Sequence, residues 1–440
     1  MEDKCVKFFI FALDISIVAS TYLNYSDMIR SSFLAVIFLV CFSWDAFAQF
    51  SLSADIRPRA EYRKGYRVMP GPDDQAAVNV SQRTRLIMGF NSEHITTRVS
   101  FQDVRIWGQH LPFGQTAALD LHEAWLQLAL GDQFSVKAGR QEIRYDNQRF
   151  FAINDWNQSA QKHDALVISF KNQNNEVHFG NAFNQSSDRL FGTPYYMNNY
   201  KTLHYLWYKT GLSSGVNLSL LGVADGYEHP EDPGQLSLRT TASAFLEVNA
   251  GLISLRANPA LQGGKTARGE NISAWYFMLQ ATANLTGKVR SELGVEVFSG
   301  INYEDPDNKY RAFSPLYGAG HTVQGYMDYF TNVTAHTRGA GLINPYLKNR
   351  FLLSEKTSFD ADLHLFFLQN NFVHQGNVID KYLGTEIDFT LSHSINPVTS
   401  LVMGYSVMFG TESMEVIKGG SKDEFAHWGF VMIRVRPRFL

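Results

Sequence analysis

Cysteine is almost absent from this sequence. Cys5 and Cys41 are the only two in 440 residues, and both lie close to the amino terminus. Both lie in a segment that we expect to be removed from the mature protein. The remaining chain would then form no disulfide, so its fold must be held together by secondary structure and packing alone.

Long hydrophobic runs are missing after residue 48. A helix that crosses a bilayer needs about 20 consecutive apolar residues, and no later stretch reaches that length. Before that point, Arg30 precedes an apolar stretch over residues 33–43, and Ala46-Phe47-Ala48 supplies the small residues of a cleavage site. This order is typical of a secretory signal peptide. We therefore predict an upstream extension at 1–27, a signal peptide at 28–48 that is cleaved after Ala48, and a single domain at 49–440.

Neither sign of charge dominates the sequence. It contains 39 Lys and Arg residues against 42 Asp and Glu residues, which gives a net charge of −3. Removal of residues 1–48 takes away three basic and five acidic residues and leaves 36 against 37. This balance does not favour nucleic acid as a partner. Any electrostatic selectivity must come from where the charges lie in the fold.

Apolar and polar residues alternate with a period of two through most of the chain. In the first segment Asp55, Arg57, Arg59 and Glu61 share one face, whereas the residues between them are mostly apolar. A period of two is that of a β-strand whose two faces meet different surroundings. Eighteen such segments can be recognised, near residues 50–66, 80–92, 95–107, 119–130, 134–143, 163–171, 176–184, 202–210, 214–224, 237–248, 251–261, 272–282, 288–299, 340–352, 357–368, 380–392, 398–409 and 425–437.

The connections between these segments alternate between short and long. Short turns rich in Gly, Asn, Asp or Ser follow every even-numbered segment, as at 131–133, and long loops follow odd-numbered segments, as at 144–162 and 300–339. This alternation is typical of a transmembrane barrel with periplasmic turns and external loops. Because lipid offers no hydrogen bonds, the strands must close on themselves. We predict an all-β, up-and-down antiparallel transmembrane β-barrel of about 18 strands in the outer membrane of a Gram-negative bacterium. A soluble sandwich is the alternative.

Aromatic residues make up 14% of the sequence, and several Tyr and Trp residues fall near the ends of the predicted strands. Rings of this kind form girdles at the two membrane interfaces of outer-membrane barrels. The candidates for such outward-facing girdles are Tyr62, Trp107, Trp125, Trp275 and Tyr405.

Arginines recur on one face of the last and the first strands. Arg434 and Arg436 share a parity, and in a closed barrel the last strand pairs with the first. The predicted lining of the lumen is therefore Arg434 and Arg436 beside Arg57 and Arg59, followed by Arg83, Arg85 and Arg98. A row of guanidinium groups would offer a passing polyanion successive shallow sites. The alternative is that Asp55 and Glu61 neutralise the row and that the pairs are structural.

The usual carriers of catalysis are missing. The sequence has no His-Glu-x-x-His pair and no Gly-x-Ser-x-Gly elbow, and both cysteines lie in the predicted leader. We expect no enzyme, no catalytic residues, no metal site and no cofactor. Two other classes stay open. One is a barrel-bodied outer-membrane enzyme that uses Asp155, His163 and Asp164 on lipid or glycan. The other is a plugged adhesive or structural barrel.

Two stretches carry a family resemblance. The first comprises Gly139-Arg140-Gln141-Glu142-Ile143, Arg149, Asp155-Trp156-Asn157-Gln158 and His163-Asp164-Ala165, and the second runs from Phe313 to Phe330. Together they resemble the alginate export family of outer-membrane barrels. The resemblance implies an 18-stranded barrel whose electropositive lumen conducts an anionic uronate polymer outward. It also implies that Arg140, Arg149 and Asp155 line the lumen or its constriction.

The combined prediction is a porin-like outer-membrane channel. It would pass an anionic polysaccharide or oligosaccharide, or a small anionic solute, without an energy source of its own. Its other expected partners are outer-membrane lipid and periplasmic export proteins. The sequence pattern specifies neither the identity of the solute nor the direction of transport.

Overall fold

The computed structural model describes residues 49–110, 119–193, 195, 199–232 and 234–440. The predicted signal peptide and both cysteines lie outside these residues, so their assignments stay predictions. Residues Leu52–Phe439 form one compact unit, the barrel described below. Of the other unit, only residues 49–51 and 440 are described.

Eighteen antiparallel strands form one sheet that closes into a barrel. The last strand pairs with both its predecessor and the first strand, which closes the sheet. This confirms the predicted fold and rules out a sandwich. The barrel strands are β1 (Phe50–Lys64), β2 (Ala77–Asn91), β3 (Ile95–Ile106), β4 (Leu119–Leu130), β5 (Phe134–Gln141), β6 (His163–Lys171), β7 (Asn175–Phe183), β8 (Thr202–Ser213), β9 (Val216–Glu228), β10 (Leu236–Ala250), β11 (Ile253–Gly264), β12 (Ala274–Thr286), β13 (Val289–Phe298), β14 (Leu342–Ser354), β15 (Thr357–Leu368), β18 (Tyr382–Asn396), β19 (Thr399–Gly410) and β20 (Ala426–Val435).

The remaining elements are short and lie in the long loops. β16 (Val373–His374) and β17 (Asn377–Val378) form a small hairpin, and the described residues also include two helices, α1 (Val333–His336) and α2 (Glu412–Lys418). Within the described part of the chain, no helix combines the length and the apolar character needed to cross a bilayer. Short connections follow the even-numbered strands from β2 to β14 and also β18, as predicted. Longer connections follow the odd-numbered strands from β1 to β15 and also β19.

The two faces of the sheet meet different surroundings. On β1, Arg57 and Glu61 are 2% exposed and point inward, whereas Ile56 is 36% exposed and Tyr62 41% exposed on the outside. Leucines of other strands, such as Leu206, are also exposed outward. The alternation of the sequence therefore places the apolar face toward lipid and the charged face toward the lumen.

Four of the five girdle aromatics are exposed as predicted, and one prediction is wrong. Trp125 faces the lumen, where its Nε1 donates to Glu123 Oε1 at 3.0 Å and Lys137 Nζ lies 3.9 Å from its ring. A β-bulge between β3 and β4 leaves His122 opposite no residue of β3. Because a bulge adds one residue to a strand, it shifts the parity on one side of it. The exposed aromatics are Tyr62, Trp107, Trp275 and Tyr405.

Two long loops fold into the lumen and pair with each other. We call residues 142–162 the first inward loop and residues 299–341 the second inward loop. Tyr317 N donates to Phe150 O at 3.0 Å, and Ala152 N donates to Tyr317 O at 3.1 Å. A Cβ atom on Gly318 would lie 1.9 Å from Arg149 O, so only glycine allows the two backbones to approach this closely. The loops thus form one folded body inside the barrel.

Aromatic side chains attach this body to the wall. Phe150 and Phe313 of the inward loops pack against Tyr276 of β12, with ring centroids 5.5 and 5.6 Å apart. Tyr276 in turn packs on Phe298 of β13 at 4.7 Å. Aromatic pairs at such distances contribute about 0.5–1.5 kcal/mol each beyond the burial of their surface. This part of the lumen is therefore a packed core.

Some glycines lie directly beneath an aromatic ring of the neighbouring strand. Gly180 pairs with Tyr205, Gly294 with Tyr346 and Gly404 with Phe430. In each pair a Cβ on the glycine would lie within 2.4 Å of the ring, so the ring covers the glycine backbone. Such pairs fix the register of the strands, because a slip would remove the space the ring needs.

We expect the substitution Gly180→Val to destabilise the barrel by about 1–3 kcal/mol, since the new methyl groups displace the Tyr205 ring. The matched control is Gly222→Val, because a Cβ at Gly222 has no atom within 4 Å. Urea unfolding of the refolded barrel in vesicles measures the difference. Equal midpoints for the two variants would contradict this account of the pair.

Candidate functional site

Arginines gather on one wall of the lumen because the last strand pairs with the first. β20 pairs with β1, and β1 pairs with β2, so residues far apart in the sequence become neighbours. We call this cluster the basic wall. It consists of Arg57, Arg59, Arg63, Arg83, Arg85, Arg434 and Arg436.

Carboxylates neutralise the basic wall only in part. Asp55 lies 2.9 Å from Arg83 and 2.6 Å from Arg434, and Glu61 lies 2.9 Å from Arg59. The expected neutralisation by Asp55 and Glu61 is therefore real. However, among the described residues the seven arginines contact four carboxylates, which are Asp55, Glu61, Glu142 and Asp155. The wall keeps a net positive charge.

The tip of the first inward loop lies on this wall. Residues 154–160 form two successive turns. The residues on either side of this tip are joined by a hydrogen bond, in which Gln161 N donates to Ile153 O at 2.7 Å. Asn154 and Ala160 have φ of 48° and 54°, the left-handed conformation that reverses the chain at each end. The tip is thus a compact unit closed on itself.

Several hydrogen bonds hold the tip against the wall. Arg57 Nε donates to Gln158 Oε1 at 2.9 Å, and Arg57 Nη1 donates to Asp155 O at 2.6 Å. Arg59 Nη1 donates to Trp156 O at 2.9 Å, while Gln158 Nε2 donates to Ser81 Oγ at 3.0 Å. Backbone carbonyls and one amide supply most of this attachment.

The side chain of Asp155 receives three guanidinium groups. Its Oδ1 lies 2.8 Å from Arg83, and its Oδ2 lies 3.1 Å from Arg434 and 3.4 Å from Arg57. The Asp155 side chain is 28% exposed, whereas those of Asp55 and Glu61 are 8% and 1% exposed. Asp155 is therefore the more exposed of the two carboxylates that contact Arg83 and Arg434.

Trp156 joins the two inward loops. The Arg59 guanidinium lies 3.9 Å from the centroid of its ring. The ring of His321 stacks on Trp156 at 4.1 Å with an interplanar angle of 7°, and Tyr326 stacks on His321 at 5.0 Å. These four planar groups form a continuous stack from β1 to the second inward loop.

The second inward loop is anchored on both sides of this stack. His321 Nδ1 lies 2.7 Å from Asp328 Oδ1, and Tyr66 donates a hydrogen bond to the same carboxylate. Burial acts to raise the pKa of Asp328, but His321, Tyr66 and Arg67 outweigh it and hold that pKa below its usual value. On the opposite wall, Met327 N donates to Glu386 Oε1 at 2.7 Å.

Two cavities lie on either side of residues 320–328. The outer cavity, of about 630 Å³, borders β1 to β3 and contains Arg63, Arg67 and His321 in its lining. The inner cavity, of about 250 Å³, borders β13 to β15 and is lined by Tyr326 together with both acidic and basic side chains. The inner cavity lies toward the end of the barrel with short turns, and the outer cavity lies toward the end with long loops.

The structure brings most of the predicted lumen residues together. Arg57, Arg59, Arg83, Arg85, Arg434, Arg436 and Asp155 all belong to the basic wall or contact it. Arg98 also faces the lumen, but it pairs with Glu123 at 2.6 Å. Arg149 lies in the first inward loop and pairs with Glu296 of β13 at 2.9 Å, away from the wall.

Arg140 departs from the prediction. It pairs with Asp164 on the neighbouring strand, with both contacts at 2.9 Å. Asp164 shares its face of β6 with Leu166 and Ile168, each 41% exposed toward the outside. Arg140 and Asp164 therefore lie on the outer surface near the long-loop end, and Arg140 does not line the lumen. The family motif crosses the end of a strand, where adjacent residues face opposite sides.

The residues of the enzyme alternative are not assembled. His163 faces inward and its Nδ1 lies 2.7 Å from the Tyr200 hydroxyl, whereas Asp164 faces outward. Asp155 is bound by three arginines. These three side chains share no common site for acid and base chemistry.

One cluster has the geometry of a cation site. Potential ligand atoms of His122, Glu123 and Glu142 lie within 4.8 Å of one another. Arg98 already lies 2.6 Å from Glu123, and Arg85 lies 3.7 Å from Glu142. Because each carboxylate has a cationic partner, the cluster is an ion network in the wall.

Several residues that shape the site could not be predicted from the sequence. Trp156 and Gln158 belong to the first stretch of family resemblance, but no pattern indicates that this loop enters the lumen. The contacts of His321, Asp328 and Glu386 likewise depend on the path of the second inward loop. A loop without periodicity carries no signal for the side of the sheet on which it folds.

Comparisons with known proteins agree with this architecture. The sequence model of the family described as alginate export matches residues 48–183. This range includes the first of the two stretches that suggested that family, which confirms the resemblance over this part of the chain. No curated protein matches the chain at a significant level.

Solved structures match over nearly the whole barrel. Pseudomonas aeruginosa OpdL is 13% identical with a TM-score of 0.61, and the match covers 89% of this chain and 100% of that chain. Acinetobacter baumannii OccAB4 is 10% identical with a TM-score of 0.61, covering 89% and 98%. P. aeruginosa OpdK, solved with vanillate, is 10% identical with a TM-score of 0.58, covering 88% and 99%. At this identity the likeness establishes the fold, which is that of an outer-membrane barrel, as predicted from the sequence.

Proposed function

We propose that this barrel is an outer-membrane channel for anionic saccharides. Its cargo would be an alginate-like uronate polymer or oligomer, or a small anionic solute, that passes along the basic wall without an energy source in the barrel. A concentration gradient or periplasmic export partners would provide direction. The observation that carries this proposal is a lumenal wall with seven arginines and only four carboxylate partners.

The chemistry of the wall supports an anion. Guanidinium groups are always charged and present a planar fork that matches a carboxylate. Arg63 and Arg436 have side chains 33% and 54% exposed, so they can contact a solute in the lumen. Successive exposed charges also allow a polymer to move from one site to the next.

The comparisons support the same class of cargo. Residues 48–183, which include part of the basic wall and the first inward loop, match the alginate export family. OpdK, which shares the fold, was solved with vanillate, a small carboxylate. Both cases are consistent with a path that accepts carboxylates of different size.

We expect the double substitution Arg434→Gln and Arg436→Gln to lower the preference of the open channel for anions without unfolding the barrel. A unit charge about 7 Å from an ion contributes about 0.6 kcal/mol in water, or roughly a threefold change in relative permeability for each charge removed. Reversal potentials across a planar bilayer in a salt gradient measure this preference.

Arg140→Gln is the matched control for this experiment. It removes the same kind of charge from the outer surface, beside Asp164. The control should keep the reversal potential of the wild-type channel. An unchanged reversal potential in the double variant would remove the basic wall from the mechanism.

A plugged structural or adhesive barrel is the second candidate, because the two inward loops fill much of the lumen. Bilayer recordings separate the two. A channel shows open current that carries anions, whereas a plugged barrel inserts without current.

A further inference from the structure

We infer that Arg57, Arg83 and Arg434 form a carboxylate-binding subsite that Asp155 of the first inward loop occupies in place of the cargo. This inference rests on the proposed function and deepens it. Asp155 acts as an internal competitor, and a carboxylate of the solute takes its position when it passes.

Three strands bring their arginines to one carboxylate. The three arginines come from β1, β2 and β20, and all reach the same carboxylate, with Oδ1 contacting Arg83 and Oδ2 contacting the other two. One carboxylate with three guanidinium partners has the geometry of a bound ligand. The position of Asp155 therefore shows where a carboxylate of the solute fits.

Asp155 is more accessible than the other carboxylate that contacts these arginines. Asp55 also contacts Arg83 and Arg434, but its side chain is only 8% exposed and belongs to the wall itself. Asp155 is 28% exposed and comes from a loop. The wall thus has a fixed carboxylate that neutralises part of its charge and a second one that can move away.

The first inward loop has attachments to the wall that do not involve the Asp155 carboxylate. Arg57 donates to the backbone oxygen of Asp155 at 2.6 Å and to that of Asn157 at 3.2 Å. Arg59 donates to Trp156 O at 2.9 Å, and Gln158 donates to Ser81 at 3.0 Å. The Asp155 side chain can therefore leave the arginines while the backbone of the tip stays in place.

An internal competitor solves a problem of transport. A channel site must bind its solute well enough for entry but weakly enough for release. Three arginines facing an empty lumen would hold a carboxylate tightly. Because Asp155 returns to the site after each passage, the exchange replaces one carboxylate with another and leaves the local charge unchanged.

The test compares Asp155→Asn with the wild-type channel, using D-glucuronate as the probe. Asparagine has nearly the same shape as aspartate but cannot compete as an anion. We expect the glucuronate concentration that half-blocks the chloride current in planar bilayers to fall roughly tenfold, because one charge-assisted contact no longer competes. Asp155→Ala is the second variant, which keeps the test valid should the Asn variant fail to insert.

Asp164→Asn is the matched control, since Asp164 pairs with Arg140 on the outer surface. It should block at the wild-type concentration. The inference is overturned if glucuronate half-blocks the Asp155 variants at the wild-type concentration. It is also overturned if these variants raise cation and anion currents alike, because that result would mean that the loop had only been displaced. If the Asp155 variants give either of these results while the Arg434/Arg436 double variant shows the expected loss of anion preference, the proposed function stands without the inference. If the double variant also keeps the anion preference of the wild type, both the inference and the proposed function are overturned.

Discussion

Replacement of residues 154–160 by two glycines should increase the single-channel conductance several-fold. This tip lies across the lumen against Arg57, Ser81, Arg83 and Arg434. Its removal deletes the stack between Trp156 and His321 and leaves free space between the basic wall and the second inward loop. Because conductance depends on the narrowest cross-section, the loss of a constriction has a larger effect than any change of a single charge.

The structure makes this deletion feasible. Ile153 O and Gln161 N are joined by a hydrogen bond of 2.7 Å, so the two ends already lie side by side and a short linker can connect them. A comparable replacement of residues 304–308, which are exposed at the far end of the second inward loop, is the control. Equal conductance of the deletion variant and the wild type would show that the tip does not form the constriction.

The substitution Arg149→Met should cost about 3–5 kcal/mol of stability, because it leaves a buried carboxylate without its partner. Arg149 and Glu296 have side chains only 1% exposed and lie 2.9 Å apart. Glu296 also accepts a hydrogen bond from Tyr276 at 2.6 Å, and the Arg149 guanidinium lies 4.8 Å from the centroid of the Phe298 ring. Methionine keeps the apolar part of these contacts but not the charge.

A double-mutant cycle with Glu296→Gln isolates the interaction. We expect the double variant to lose less stability than the sum of the single variants, measured by denaturant unfolding of the barrel in vesicles. Arg140→Met provides the contrast, since its partner Asp164 is exposed and surface pairs contribute only about 0–1 kcal/mol. Strictly additive losses at Arg149 and Glu296 would mean that the pair does not anchor the loop.

The sequence predicted the barrel well because alternation and turn chemistry are local signals. The eighteen segments, the short turns and the pairing of β20 with β1 all agree with the structure. The arginine row followed from this closure. Trp125 was placed on the wrong face because a bulge at His122 shifts the parity of β4. Arg140 was placed in the lumen by the family resemblance, whereas the regular pairing of β5 turns it outward beside Asp164.

The interior of the barrel could not be predicted in the same way. The inward loops owe their position to contacts between distant residues, such as Arg149 with Glu296 and Met327 with Glu386. No spacing in the sequence specifies such contacts. The sequence thus identified the charges of the lumen, and the structure shows which of them the protein already uses for itself.

The two inward loops also brace the barrel mechanically. Together they contact β1 and β2 through Asp155 and Gln158, β13 through Arg149, and β18 through Met327. A closed sheet without such struts can flatten when the surrounding lipids press on it. Struts that reach several sides keep the cross-section constant, so the width of the passage should depend little on the thickness or lateral pressure of the membrane in which the protein sits.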